Sequence, residues 1–391
     1  MGLRREQSLA KAQNRRGLFV ARVVLAMSGG VDSSVAAALL KQQGHEVIGL
    51  FMRTGSHAET VERRTKTCCS IADSHDARVV ADALDIPFFA LDFEKDFGRI
   101  QDYFADEYLL GRTPNPCVMC NIWLKFGKLW SYGKQVGADF VATGHYAQIE
   151  HDALGRPRIA RAADAGKDQC YVLSGLRREL LKHVLLPIGS YPKSEIRRLA
   201  RELELPVHDK PDSQEICFVP DDDYLRVVRE RRPGAETSGR VIDHTGEELR
   251  QHDGIEAFTI GQRRGLGVAV GEPRFVVQIE PISRTVKVGP RELLEKPGLE
   301  ADRFNWQVDV PVEPRSCLAQ IRARHTAVPA RVIPIGTDRV RVWFDAPQQA
   351  VTPGQLVTLY EDNLVLGGGW IEGPLDAVGS EEIEPVDSGS R

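Results

Sequence analysis

At 391 residues the chain is long enough for roughly two to four domains, which excludes a single small module. Hydrophobic residues make up 42% and charged residues 27%, close to the average for folded soluble proteins, so a disordered chain and a collagen-like repeat are excluded as well. The formal charge of -4 divides into -7 over residues 361–391 and +3 over the remainder, so the near-neutral total neither excludes nor establishes a polyanionic partner.

The chain opens with a basic stretch (Arg4, Arg5, Lys11, Arg15, Arg16) that no clean apolar h-region follows, so a disordered tail over 1–18 is expected rather than a secretory signal. Leu18 to Met27 is interrupted by Arg22 and falls short of the ~20 apolar residues that a membrane span needs. From 19 to 230, short β-branched runs alternate with helical patterns, which predicts a parallel sheet with crossover helices. The strands are expected at Val23 to Met27, Val47 to Met52, Phe88 to Leu91 and Phe140 to Thr143. Helices are expected from about Ser34 to Gln43, around the inward face Ala77, Val80, Ala81, Leu84, from Ile100 to Leu110 and from Ile122 to Val136.

From Arg232 onward Gly and Pro recur every few residues and short alternating runs, such as Phe275 to Ile279 and Thr285 to Val288, replace the helices. This predicts a small β-rich domain over 231–298, with Glu295 to Gly298 as a linker. Runs at Leu318 to Ala323, Ala330 to Ile333, Val340 to Phe344, Gln355 to Tyr360 and Leu364 to Trp370 predict an antiparallel β-barrel over 299–376. An acidic, Gly/Ser-rich tail over 377–391 is expected to be loose.

Ser28-Gly29-Gly30-Val31-Asp32-Ser33-Ser34 lies between the first strand and the first helix. Two glycines allow a tight turn and close approach to a ligand, while the serine hydroxyls and the helix-start N–H groups can hold phosphate oxygens. Asp32 is placed to hold a magnesium ion beside them. No G-x-x-x-x-G-K-[ST] string occurs, which disfavours a Walker-type site.

Seven cysteines, an odd number, are too few for a disulfide scaffold in a chain this long and fit a reducing, cytoplasmic compartment. Cys317 and Cys170 read as packing residues. Cys120 follows the proline-stiffened stretch Thr113-Pro114-Asn115-Pro116-Cys117-Val118-Met119 at the expected start of a helix, where a thiol has a reason to ionise. Cys217 falls in a polar loop, Asp212-Ser213-Gln214-Glu215-Ile216-Cys217-Phe218, near a domain junction. The C-x2-C spacing of Cys117 and Cys120 also admits zinc, with Cys68 and Cys69 completing a four-thiolate set, or an iron-sulfur cluster on three thiolates; neither is expected.

The phosphate loop, Gly111 to Asn121 (G-R-T-P-N-P-C-V-M-C-N), Ala142 to Ala147 (A-T-G-H-Y-A), Lys167 to Gln169, Asp212 to Phe218 and Phe258 to Gly267 (F-T-I-G-Q-R-R-G-L-G) together resemble the tRNA-specific 2-thiouridylases, within the PP-loop ATP pyrophosphatases. The resemblance runs in order over about residues 20 to 370. It implies an α/β fold whose N-terminal domain is a parallel-sheet PP-loop unit (HUP-like, adenine nucleotide α-hydrolase type), followed by the β-rich central domain and the barrel. It implies ATP contacts at Ala26, Met27, Ser28, Gly29, Gly30, Val31, Asp32, Ser33, Met52 and Gly144. Cys120 takes the place of the nucleophile and Cys217 that of the persulfide carrier, with a transient Cys120–Cys217 disulfide. Asn115, Pro116 and Cys117 match the segment touching the target base, and many members have Asp where Cys117 stands.

Lys167, Asp168, Gln169 and Arg322 match tRNA contacts, although Ala323 stands where members often have Tyr. Lys125, Lys128, Arg263 and Arg264 are further candidates for phosphate contacts. The implied cofactors are ATP and magnesium. The implied partners are the tRNA anticodon loop and a persulfide donor, either a cysteine desulfurase or a sulfur-relay protein, with no membrane and no DNA. Two other readings stay open on the sequence: an adenylating PP-loop enzyme with a nitrogen nucleophile, and an RNA-binding module whose cysteines hold zinc.

Overall fold

The computed structural model describes residues 20–55, 71–212, 216–268 and 271–376, and among these no helix is long and apolar enough to cross a membrane. Cys68, Cys69 and the two expected tails lie outside the described residues. The chain divides into two compact units. Of the described residues, one comprises those within 20–102, 116–227 and 363–365; the other comprises those within 103–115, 228–362 and 366–376.

The first unit contains β1 (Arg22–Ala26), α1 (Val31–Gln42), β2 (Glu46–Arg53), α2 (Ile71–Ala83), β3 (Phe88–Asp92) and the start of α3 (Glu94–Leu109). It continues with α4 (Pro116–Met119), a π-helical segment (Cys120–Leu129), α5 (Trp130–Gln135), β4 (Phe140–Thr143) and the hairpin β5 (Gln148–His151)–β6 (Pro157–Ala160). The short helices α6 (Cys170–Leu173) and α7 (Arg178–Leu181), β7 (Val184–Leu185), α8 (Lys193–Glu202) and the start of α9 (Tyr224–Arg231) complete it.

As the alternating pattern predicts, its sheet is parallel, in the order β3-β2-β1-β4-β7. β1 is central, and its Val23, Val24 and Leu25 are fully buried, the run of apolar residues expected of a strand covered on both faces. The expected helical face is buried at Ala77, Val80 and Ala81. Three helical stretches begin earlier than the hydrophobic pattern suggests: α1 at Val31 instead of Ser34, α3 at Glu94 instead of Ile100, and the run of α4, the π segment and α5 at Pro116 instead of Ile122. A single first turn is too short to show the i, i+3, i+4 repeat, so the pattern does not register it even where it holds a buried residue such as Val31 or Phe97.

The second unit holds two β modules. β8 (Gly239–Asp243), β9 (Glu248–His252), β10 (Phe275–Glu280) and β11 (Thr285–Gly289) form a sheet in the order β10-β11-β8-β9 around Val241, Ile255, Phe258, Leu266, Val276, Val286 and Val288. The barrel consists of β12 (Glu295–Trp306), β13 (Arg315–Gln320), β14 (Val328–Ile335), β15 (Arg339–Gln349), β16 (Leu356–Glu361) and β17 (Leu364–Leu375), and β12 pairs with both β15 and β17 to close it. Glu295 to Gly298 is therefore not a linker but the start of a long strand, in which Gly298 lets β12 pass Trp343: a Cβ there would meet that ring at 2.6 Å.

Tyr103–Asn115 belongs with these β modules rather than with the α/β unit that the sequence pattern assigns it to. Thr113 N–H donates to Pro353 O at 2.8 Å, Gln355 Nε2 donates to Thr113 O at 2.9 Å, and Arg112 pairs with Glu107 at 2.8 Å and Glu372 at 3.0 Å. Burial works against the Arg112 charge, but the two carboxylates outweigh it and raise its pKa.

Candidate active site

The phosphate loop lies at the carboxyl end of β1. β1 is flanked by β2 on one side and β4 on the other, the crevice where doubly wound sheets bind ligands. Ala26 pairs in register with Leu50 and Thr143, which brings the ends of β2 (Met52) and β4 (followed by Gly144) to the same rim. Gly29 turns with φ +69, and a Cβ on it would lie 2.2 Å from Asp73 O, so the turn is restricted to glycine on two counts. Gly144 abuts the start of α1, where a Cβ would come within 2.7 Å of Ser33 N.

The serines divide their work. Ser33 Oγ accepts from Ser28 N–H at 3.2 Å and lies 3.2 Å from Gly30 O, while Ser34 Oγ donates to Gly30 O at 2.8 Å. Ser33 and Ser34 are buried, whereas Ser28 is exposed, its Oγ 3.2 Å from Ser33 Oγ. Of the three hydroxyls expected to be able to hold phosphate oxygens, those of Ser33 and Ser34 bond within the loop in this structure.

Around the loop runs a charge network that the sequence analysis missed. Lys193, the first residue of α8, places Nζ 2.7 and 2.9 Å from the Asp32 carboxylate and 2.8 Å from Asp212. Tyr146 OH donates to Asp32 Oδ1 at 2.7 Å, and burial first and Asp32 second push its own pKa up. Asp212 also accepts from Lys167 at 2.9 Å and Arg197 at 2.8 Å. Burial alone would raise the Asp212 pKa, but the Lys193 and Lys167 ammonium groups hold it down at about 2.

Lys210 Nζ donates to Gly29 O at 3.0 Å and to Asp73 and Asp76 at 2.6 Å each, tying the loop to α2. The available signals were P-K at the start of an amphipathic helix and the tyrosine inside A-T-G-H-Y-A, neither of which says which carboxylate it will meet. Asp32 as placed does not fit a magnesium ligand, because both its oxygens face the Lys193 ammonium. Among the described residues no group of three His, Cys, Asp or Glu side chains is arranged to hold a metal ion.

The helical stretch after Pro114 begins at Pro116, so Cys117, which is exposed, occupies its first turn. Cys120, half-buried, opens the π segment one turn further in. This corrects the expectation that placed Cys120 at the helix start. Cys217 is half-buried in a turn. Its neighbour Phe218 packs edge-on against Phe97 of α3 at 5.7 Å, and two residues further along α3, on another side of the helix, Arg99 stacks over Trp123 of the π segment at 5.1 Å. Lys128 of the same segment pairs with Asp96. The segments bearing Cys120 and Cys217 both touch α3 within residues 96–99, the first through Asp96 and Arg99 on one side and the second through Phe97 on another.

Lys125 Nζ lies 3.4 Å from His145 Nε2; an ammonium can only donate, so Nε2 accepts and the ring proton sits on Nδ1, 2.7 Å from Thr143 Oγ1. Burial, reinforced by Lys125, pushes the His145 pKa well down, in keeping with a neutral ring.

Of the candidate tRNA contacts, Lys167 is partly exposed beside Asp212, whereas Asp168 accepts from Ala162 N–H at 2.9 Å and Gln169 Oε1 accepts from Tyr146 N–H at 2.8 Å. Arg322 follows β13 and donates to Gln349 O at 3.2 Å. Arg263 and Arg264 are exposed in the loop before β10. Pro116 and Cys117 belong to the first unit and Asn115 to the second. Cys170 and Cys317 are buried as expected of packing residues: Cys170 Sγ lies 3.1 Å from Ala160 O, and burial lifts Cys317 to about 12.

Three family models match consecutive stretches: a tRNA methyl transferase HUP domain over 21–221, a tRNA methyl transferase PRC-barrel domain over 228–290 and an aminomethyltransferase beta-barrel domain over 296–371. The curated relatives of this chain carry a different activity in their names. The tRNA-specific 2-thiouridylase MnmA of Geotalea uraniireducens is 48% identical over 355 residues, covering 90% of this chain and 95% of that protein. That of Rhodopirellula baltica is 46% identical over 401 residues, covering 94% and 100%. Among solved structures, a 4-thiouridine synthetase–RNA complex with bound ATP matches 55% of this chain and 50% of its own at 16% identity and a TM-score of 0.34, too distant to bear on the site. With near-complete relatives at this identity and with the parallel sheet, central β module and closed barrel in the matching order, the chain belongs to the tRNA-specific 2-thiouridylase family.

Proposed function

We propose that this enzyme is a tRNA-uridine 2-sulfurtransferase that thiolates the wobble uridine in an ATP-dependent reaction. The observation that carries the reading is the packing of both cysteine segments on residues 96–99 of α3, in the same unit as the phosphate loop.

The chemical difficulty is that the C2 oxygen of uracil is a poor leaving group. Attack of that oxygen on the α-phosphate of ATP releases pyrophosphate and makes AMP the leaving group. The N–H groups at the start of α1 and the Ser28-Gly29-Gly30 turn are suited to the charge that gathers on the phosphates. Cys217 accepts a sulfur atom from a persulfide donor. Its terminal sulfur then attacks C2 and expels AMP, and the Cys120 thiolate attacks the inner sulfur. The sulfur–sulfur bond breaks toward the base, leaving the C2 thione and a Cys120–Cys217 disulfide, which an external thiol reductant returns to two thiols.

The base must leave its stack to be reached, which an anticodon loop permits at low cost. Asn115, Pro116 and Cys117 would touch it, and Lys167, Asp168, Gln169 and Arg322 would contact the tRNA. The experiment is incubation with ATP, a persulfide donor and unmodified tRNA, followed by mass spectrometry for 2-thiouridine. Cys217→Ser should abolish the product while ATP binding persists, and full turnover by that variant would refute the persulfide role.

A further inference from the structure

Lys193 is nearly enclosed, with its side chain 10% exposed, and it is shared between two carboxylates: Asp32 at 2.7 Å and Asp212 at 2.8 Å. Asp32 lies in the first turn of α1, the turn whose free N–H groups a phosphate would meet. An anion held there arrives within reach of Lys193 and has to compete for it. The two carboxylates are not equally able to yield. Asp32 is fixed in a helix and also held by Tyr146, whereas Asp212 lies in non-helical chain and keeps Lys167 and Arg197 as partners if Lys193 turns away.

We propose that Lys193 is a further phosphate-binding residue of the nucleotide site and that Asp212 is its internal competitor, holding the ammonium in the empty site and reclaiming it as pyrophosphate departs. The proposal rests on the reading of the loop as a nucleotide site and extends it to product release. Burial works against the Asp212 charge, but while Lys193 and Lys167 sit beside it the Asp212 pKa is held below the ordinary carboxylate value, so the ammonium meets a charged competitor in the empty site.

Binding of ATP and of inorganic pyrophosphate to the full-length protein, with thermal melting as the check on folding, tests it. Asp212→Asn should bind pyrophosphate at least about fivefold tighter, because a charge-assisted bond no longer opposes it. In turnover with tRNA the same variant should show a lower KM for ATP together with a lower kcat. Asp212→Glu should restore wild-type values. Lys193→Gln should weaken pyrophosphate binding by about tenfold or more, and Lys193→Arg should recover part of the loss.

A folded Asp212→Asn with unchanged or weaker pyrophosphate affinity, beside a wild type that binds both ligands, overturns the proposal and leaves the nucleotide reading intact. A wild type that binds neither ligand overturns the nucleotide reading itself. If Asp212→Asn does not fold, unchanged affinity in Lys193→Gln overturns the proposal alone.

Discussion

Replacing Gly144 by alanine tests the junction on which the loop depends. The added methyl would lie 2.7 Å from Ser33 N, 2.9 Å from Asp32 C and 3.0 Å from Ser33 Cα, all backbone atoms that no rotamer change can move. Reaching ordinary contact at 3.4 Å requires β4 and α1 to part by about 0.7 Å, the difference between 3.4 and 2.7. Overpacking of this kind costs about 1 to 3 kcal/mol. If it is relieved by shifting the start of α1, the same energy is lost from nucleotide binding, a factor of roughly 5 to 150.

Gly30→Ala is the counterpart. Gly30 has φ -99 and only Ser28 Oγ near its Cβ position, at 3.5 Å, so the fold should tolerate the methyl while the space above the loop does not. Calorimetric ATP titration beside thermal melting should show Gly144→Ala losing both stability and affinity, and Gly30→Ala losing affinity alone. A Gly144→Ala protein that melts and binds ATP like the wild type would refute the close approach of β4 to α1.

Three further outcomes follow from the same geometry. Cys120→Ser should leave ATP binding intact and, in the absence of an added thiol, stop turnover by at least about a hundredfold, with Cys217 joined to the base through a disulfide and visible as a protein–tRNA adduct on a denaturing gel; product formed at the wild-type rate would remove Cys120 from the mechanism. The Asp212 pKa is depressed from 3.8 to about 2 on folding, so its contribution to stability is fully present above about pH 4 and is lost as pH falls toward 2. That contribution is about 1 to 2 kcal/mol after solvent screening, and Asp212→Asn should flatten this part of the acid unfolding curve. Arg112→Ala leaves Glu107, 13% exposed at its side chain, without its cation, and should cost the second unit about 3 kcal/mol in thermal unfolding; an unchanged melt would show that the pair carries no weight.

The parts of this fold that the sequence exposed are those with a short period. β-branched runs separated by helical spacing located β1 to β4 to within two residues, because a buried parallel strand and its crossover helix each leave a local pattern. The phosphate loop was legible because its position between strand and helix restricts its chemistry. What escaped depends on contacts between distant residues. Thr113 meets Pro353 across the chain, and that contact, not local composition, puts Tyr103–Asn115 with the barrel.

Lys193 and Asp212 are likewise ordinary charges until folding sets them 2.8 Å apart. The P-G at 297 and 298 resembled a break, yet Gly298 serves the close approach of β12 to Trp343. The π winding from Cys120 to Leu129 replaces i→i+4 bonds with i→i+5 bonds and has no compositional mark, so the turn on which Cys120 sits could be read only from coordinates.

Closure of the barrel through β12 and β17 limits how this module can meet another molecule. Where its strands pair around the ring, an incoming peptide finds no vacant backbone donors and acceptors to extend; the start of β17 is different, because Leu364 pairs with Ala160 of β6 and the β5–β6 hairpin continues the same sheet. Whatever it grips must be held by side chains and by the loops at its two mouths, so surface substitutions there can retune selectivity without disturbing the hydrogen-bonded wall beneath.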